Sequence, residues 1–259
     1  MQILTRFLPM KRCLIFLLLF GFFLIKTYSQ TSKPVYVIVH GAWGGGWAFK
    51  KVDSLLREKG CIVYRPTLTG QGERVHLATT DVGLITHIKD VVNVILYEDL
   101  HDVILIGHSY GGMIVTGVAD SLPDRIKKLI YLDAMVPEDG ESVVTIQGTG
   151  SNRLTQNSVN GFVVPAWVED GKLPPKDVPH PLKTLTDPIV LKNSLRLIIP
   201  TTYILTVAKG TEPKDDGFFF HAERARKKRW SVLQLEADHN AQWSAPENLV
   251  EMLEKIRNK

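Results

Sequence analysis

Short apolar, β-branched runs recur along this chain, and most are followed by a stretch with helical spacing. The runs are VYVIV at residues 35–39, IVYR at 62–65, VILI at 103–106, LIYL at 129–132, TYILTV at 202–207 and SVLQLE at 231–236. Between them lie amphipathic stretches at 47–60 and 84–100, a helix-compatible run after Ser109, and a closing helix at 245–256. Strands that are apolar throughout must be covered on both faces. The alternation therefore predicts an α/β protein with a mostly parallel central sheet and helices on both sides. Right-handed crossovers then bring the C-terminal ends of the strands to one edge, where such proteins build their sites.

Two segments depart from this rhythm. Between Pro137 and Pro200 the alternation stops, and seven of the chain's 14 prolines fall within residues 165–200. Phe162, Val163, Val164, Trp167, Leu182 and Leu185 give this segment enough apolar content to fold. It is expected to form a small, partly helical cap, about residues 137–200, over the strand edge. At the other departure, Arg6, Lys11 and Arg12 precede thirteen apolar residues (13–25), and Thr27 and Ser29 offer short side chains to a peptidase. Thirteen residues fall short of the roughly 20 that span a bilayer. Residues 1–29 read as a secretory signal peptide and 30–259 as a single domain, exported to a periplasm or the exterior without stable membrane insertion after cleavage.

Charge and cysteine content narrow the function. The 31 basic residues exceed the 27 acidic ones by four, and Arg6, Lys11, Arg12 and Lys26 of the leader account for that excess. The remaining chain is neutral overall, which argues against nucleic acid or an anionic membrane as partner. The basic run ERARKKR at 223–229 contains Glu223 and reads as a solvated helix face. With Cys13 in the leader, Cys61 has no disulfide partner and reads as a small buried apolar residue.

Chemistry concentrates where the third run meets its helix. Gly107-His108-Ser109-Tyr110-Gly111 places a serine in a tight strand-to-helix turn, with glycines two residues before and after it. This is the nucleophile-elbow pattern, which exposes a serine hydroxyl at the sheet edge. A serine needs a base to accept its proton. His239 follows the last strand by three residues, and of the eight histidines it alone lies beyond the nucleophile and just past a strand. An acid must orient that base. Asp133 at the end of the fourth run is the first choice, and Glu212, Asp215 and Asp216 after the fifth are the alternatives. Two amides are needed for a developing oxyanion: that of Tyr110, and that of Ala42 in the loop HGAWGGGW at 40–47. Trp43 in the same loop is a candidate substrate contact. Gly44-Gly45-Gly46 lacks the GK[ST] ending of a phosphate loop, and no metal or organic cofactor is implied.

Taken in order, VHGAWGGGW, PTLTGQGER, GHSYGG, YLDAMVPEDG and ADHNAQWSAPENL resemble the α/β-hydrolase superfamily over nearly all of residues 34–257. Within it the chain is similar to the plant methylesterases, hydroxynitrile lyases and related bacterial esterases. The resemblance implies the α/β-hydrolase fold with a cap insertion. It also implies a Ser109–His239–acid triad, oxyanion donors at Ala42 and Tyr110, and hydrolysis of a small or medium-sized ester through an acyl-enzyme. Hydroxynitrile lyases carry threonine where Gly41 stands and lysine where Asn240 stands, so a C–C lyase is the lesser alternative. Plant methylesterases place their acid after the later strand, whereas bacterial relatives more often share the LDA of Asp133. Dehalogenases and epoxide hydrolases have aspartate in place of Ser109. A receptor with little turnover on the same scaffold is the alternative from another class.

Overall fold

The computed structural model describes residues 33–148, 156 and 158–258; the leader expected at 1–29 lies outside them. Lys33–Lys259 forms one compact unit. Its strands are β1 (Val35–Val39), β2 (Ile62–Tyr64), β3 (Val103–Ser109), β4 (Ile126–Ala134), β5 (Ser158–Val159), β6 (Phe162–Val163), β7 (His180–Pro181), β8 (Thr201–Val207) and β9 (Ser231–Glu236). Its α-helices are α1 (Lys50–Glu58), α2 (Leu84–Tyr97), α3 (Gly111–Ser121), α4 (Val143–Gln147), α5 (Leu182–Thr186), α6 (Phe219–Lys227), α7 (Ala241–Ser244) and α8 (Pro246–Arg257).

Among the described residues six strands form the main sheet in the order β2-β1-β3-β4-β8-β9, and every pairing in it is parallel. Side chains alternate between its faces. Val37, Val39, Leu105, Leu129, Tyr131, Tyr203 and Leu205 pack with α2, α3 and α6 on one side. Tyr36, Ile38, Ile104, Ile106, Ile130, Leu132 and Ile204 pack with α1 and α8 on the other. The continuous apolar runs thus supply two cores, one on each face. The chain leaves β1 toward β2 and then returns to the far side of β1 as β3. The strand order reverses there, and a crevice opens beyond the carboxyl ends.

The insertion has helical content, as expected, and a small sheet that was not expected. It holds α4 and α5, but also a small antiparallel sheet in the order β5-β6-β7. Asn160 (φ 51°) and Gly161 (φ 81°) make the two-residue turn between β5 and β6. Positive φ at both central positions is the geometry of a type I′ hairpin. Pro181 lies in the edge strand β7, where its missing N–H costs no ladder bond.

Of the basic residues at 223–229, Arg226, Lys227 and Arg229 are exposed, as expected of a solvated helix face, whereas Arg224 is half-buried. His221, Ala222 and Ala225 of α6 are buried. Arg224 reaches the base of the insertion, donating to Glu141 Oε1 at 2.7 Å and to the Val136 carbonyl at 2.9 Å. The pairing holds Glu141 below its ordinary pKa and raises that of Arg224. Cys61 is a free, buried thiol.

Candidate active site

Four strand ends meet at the crevice. Ser109 closes β3 in the left-handed region, with φ 55°. A Cβ on Gly107 would lie 2.6 Å from the Gly111 carbonyl oxygen and 2.7 Å from Val115 Cγ2. One on Gly111 would lie 2.7 Å from the Val39 carbonyl oxygen. Only glycine fits at either place. Tyr110 caps α3, and its fully buried hydroxyl lies 3.0 Å from His87 Nδ1.

Asp133 owes its position to an irregularity in β4. Leu132 stands opposite His108 and Ala134 opposite Ser109, leaving Asp133 as the extra residue of a bulge with φ 43°. Bulges of this kind re-aim a side chain. The Asp133 side chain is completely buried. Its Oδ1 accepts from the Thr206 amide at 3.2 Å and its Oδ2 lies 2.6 Å from His239 Nδ1. An Nδ1–H donated to this carboxylate leaves Nε2 of the neutral imidazole with its lone pair.

His239 is held by its surroundings. Asp238 Oδ1 accepts from the Asn240 amide and from Ser244 Oγ, both at 2.8 Å, which closes the loop after β9. The His239 carbonyl accepts from His108 Nε2 at 2.8 Å. The His239 ring lies between Phe218, stacked at 4.7 Å, and His108, tilted at the same separation. Burial pushes His108 down to about 3. Burial likewise pushes His40 down to about 4; its Nδ1 donates to the Gly41 carbonyl and its Nε2 accepts from the Leu68 amide. Both histidines are neutral scaffold groups.

The alternative acids do not reach the imidazole. Asp216 is half-buried, and its Oδ1 accepts from the Phe218 amide at 2.7 Å. Burial raises its pKa, an effect to which the Asp133 charge adds. Glu212 and Asp215 are exposed.

Ser109 and His239 line one cavity of about 460 Å3, together with His40, Gly41, Ala42 and Trp43. No hydrogen bond joins the Ser109 hydroxyl to His239 among the described residues. Contacts of this kind are commonly loose until substrate arrives. A Cβ on Gly41 would lie 3.0 Å from Ser109 Cβ, so this glycine lets the loop after β1 approach Ser109. Among the described residues no group of three or more His, Cys, Asp or Glu side chains is arranged to hold a metal ion.

Trp43 is fastened to the cap, a connection sequence reasoning missed. Its φ is 64°. Its amide donates to His180 Nδ1 at 3.2 Å, its indole N–H to the Val163 carbonyl at 3.0 Å, and its carbonyl accepts from the Val178 amide at 2.9 Å. Thr184 Oγ1 donates to the Pro181 carbonyl at 2.8 Å and lies 2.7 Å from His180 Nε2. Nδ1 also lies 3.0 Å from Gln71 Oε1, so Trp43, Gln71 and Thr184 together fix the His180 ring. Burial drives His180 well below its ordinary pKa. Trp167, Trp243, Lys172 and Lys176 also line the cavity, and sequence reasoning did not place them in the site.

The profile of the alpha/beta hydrolase family matches residues 36–252. A carbendazim-hydrolyzing esterase of Nocardioides sp. (strain SG-4G) is 35% identical over 238 residues, covering 84% of this chain and 97% of the relative. Methylesterase 2 of Arabidopsis thaliana is 26% identical over 144 residues, 55% of each chain. Among solved structures, an extracellular alpha/beta-hydrolase from a Paenibacillus species superposes with a TM-score of 0.72 at 25% identity, covering 86% of this chain and 98% of that one. An Arabidopsis methylesterase superposes with a TM-score of 0.65 at 26% identity, covering 87% and 99%. The parallel sheet, the glycine-flanked Ser109 at its edge and a profile match over most of the chain lead to one assignment: the chain belongs to the alpha/beta hydrolase family.

Proposed function

We propose that this protein is a serine carboxylesterase acting on small or medium-sized esters through an acyl-enzyme. Ser109 Oγ attacks the ester carbonyl while His239 Nε2 takes its proton. The imidazolium, steadied by Asp133, then returns the proton to the departing alkoxide. The Ala42 and Tyr110 amides donate to the oxyanion of the tetrahedral intermediate, and Trp43 contacts the substrate. Water, activated by the same imidazole, releases the acid. The observation that carries this reading is the 2.6 Å contact between His239 Nδ1 and a fully buried Asp133 beside a serine in an elbow. The esterase and methylesterase names of the relatives agree with it. Export by the leader at 1–29 belongs to the same proposal; the Paenibacillus neighbour is described as extracellular.

A fluorophosphonate probe tests the reading. Wild type is expected to be labelled and to hydrolyse short p-nitrophenyl esters with a burst, and Ser109→Ala to do neither. An unlabelled, inactive wild type refutes it, and labelling without ester turnover points instead to a receptor.

A further inference from the structure

The cavity over Ser109 is lined by five aromatic rings and carries an excess of positive charge. Trp43 meets Trp167 edge to face at 5.0 Å, and Trp47 stacks on Trp243 at 5.8 Å. Phe49 completes the set. Trp167 and Trp243 are 60% and 51% exposed, an unusual exposure for the largest apolar side chain inside a concave site. Rings so placed present faces and edges that another aromatic ring complements.

The ionised lining comes from the cap. Lys172 and Lys176 line the cavity, and neither ammonium group has a hydrogen bond or ion pair among the described residues. The single carboxylate in the lining, Asp177, has its Oδ2 engaged by the Trp167 indole N–H at 2.7 Å. His40 and His108 are neutral, so two unpaired cations face one committed anion.

We propose that the preferred substrate is an aromatic ester bearing a second, anionic group. This reading rests on the esterase function proposed above. The ring lies among the tryptophans and the ester carbonyl reaches Ser109 on the sheet edge. The anion, a carboxylate or sulfonate, is held by Lys172 and Lys176 on the cap. The chemistry is hydrolysis: the Ser109 Oγ–acyl bond forms as the alkoxide leaves with a proton from His239. One water then consumes the acyl-enzyme, and an alcohol and a dianionic aromatic acid are released. Part of the pairing is solvated, so each lysine contributes modestly.

Monomethyl terephthalate and methyl 4-methylbenzoate form a matched pair that differs in the charge of the para group. The readout is the ratio of their kcat/KM values on the full chain, at low and high salt. Wild type is expected to favour the anion on the order of 10-fold at low salt, and this preference shrinks as salt screens it. In Lys172→Gln/Lys176→Gln the ratio falls toward 1, and in Lys172→Glu/Lys176→Glu it inverts. A wild-type ratio near 1, or one that neither salt nor the double variants move, overturns the inference. Hydrolysis of p-nitrophenyl acetate with neither benzoate accepted overturns it too, and leaves the esterase reading standing. Absence of both fluorophosphonate labelling and hydrolysis of every ester overturns both.

Discussion

Replacing Asp133 by asparagine isolates what the bulge in β4 does for His239. The two side chains are nearly equal in volume, so the fully buried site is not emptied. Thr206 still needs an acceptor for its buried amide, which keeps the new amide's oxygen where Oδ1 now sits, 3.2 Å away. The NH2 group then faces His239 Nδ1 at the 2.6 Å contact. Two donors cannot share that contact, so Nδ1 becomes an acceptor and the imidazole proton moves to Nε2. A ring protonated there cannot take the Ser109 proton, and the imidazolium loses its counter-charge. A wrong tautomer in a serine triad costs about 10⁴ in kcat, or about 5 kcal/mol of barrier. The assay is steady-state hydrolysis of p-nitrophenyl butyrate, with thermal unfolding to show that the variant folds. Asp216→Asn, which touches the Phe218 amide and not the imidazole, is the control and should stay within a few-fold of wild type. A folded Asp133→Asn within 10-fold of wild type refutes the reasoning, as does a loss of about 10⁴ in Asp216→Asn instead.

Acid should unfold the protein early. Burial lowers His40, His87 and His221 from 6.5 to about 4 and His108 to about 3. Below pH 6.5 the unfolded chain therefore binds protons that the native state refuses, and stability falls by about 1 kcal/mol per pH unit for each histidine, down to about pH 4. Denaturant unfolding at stepped pH checks this, and a flat profile from 6.5 to 4 contradicts it. Gly107→Ala should fail to fold or lose about 3 kcal/mol, since its methyl would meet the Gly111 backbone at 2.6 Å; soluble yield and calorimetry read the outcome. Arg224→Ala should cost about 2 kcal/mol by taking the guanidinium away from Glu141 and the Val136 carbonyl. The expected drop in Tm is about 4–8 °C, and an unchanged Tm rules out the clamp.

What the sequence makes legible is whatever depends on neighbours in the chain. The strands could be read because each is apolar over consecutive residues, and the elbow because its glycines flank Ser109 at fixed offsets. The β5–β6 hairpin is equally local, since Asn160-Gly161 between Val159 and Phe162 is a strong turn signal. The choice between Asp133 and Asp216 was different in kind. It hangs on one bulged residue at φ 43°, which propensity does not encode. The contact between Trp43 and His180 joins residues 137 apart in sequence, so no local pattern announces it. Arg224 likewise reads as a surface charge until Glu141, 83 residues away, is brought beneath it.

The three hydrogen bonds between Trp43 and the cap have an evolutionary consequence. Ala42, the neighbour of Trp43, carries one of the amides proposed for the oxyanion, so under that proposal the cavity wall and the charge-stabilising loop are one mechanical piece. A cap grafted from a relative would leave the Trp43 amide without its acceptor unless it brought a residue equivalent to His180. New substrate ranges are then reached by exchanging side chains on a retained cap, at positions such as Lys172 and Lys176, more readily than by trading the cap whole.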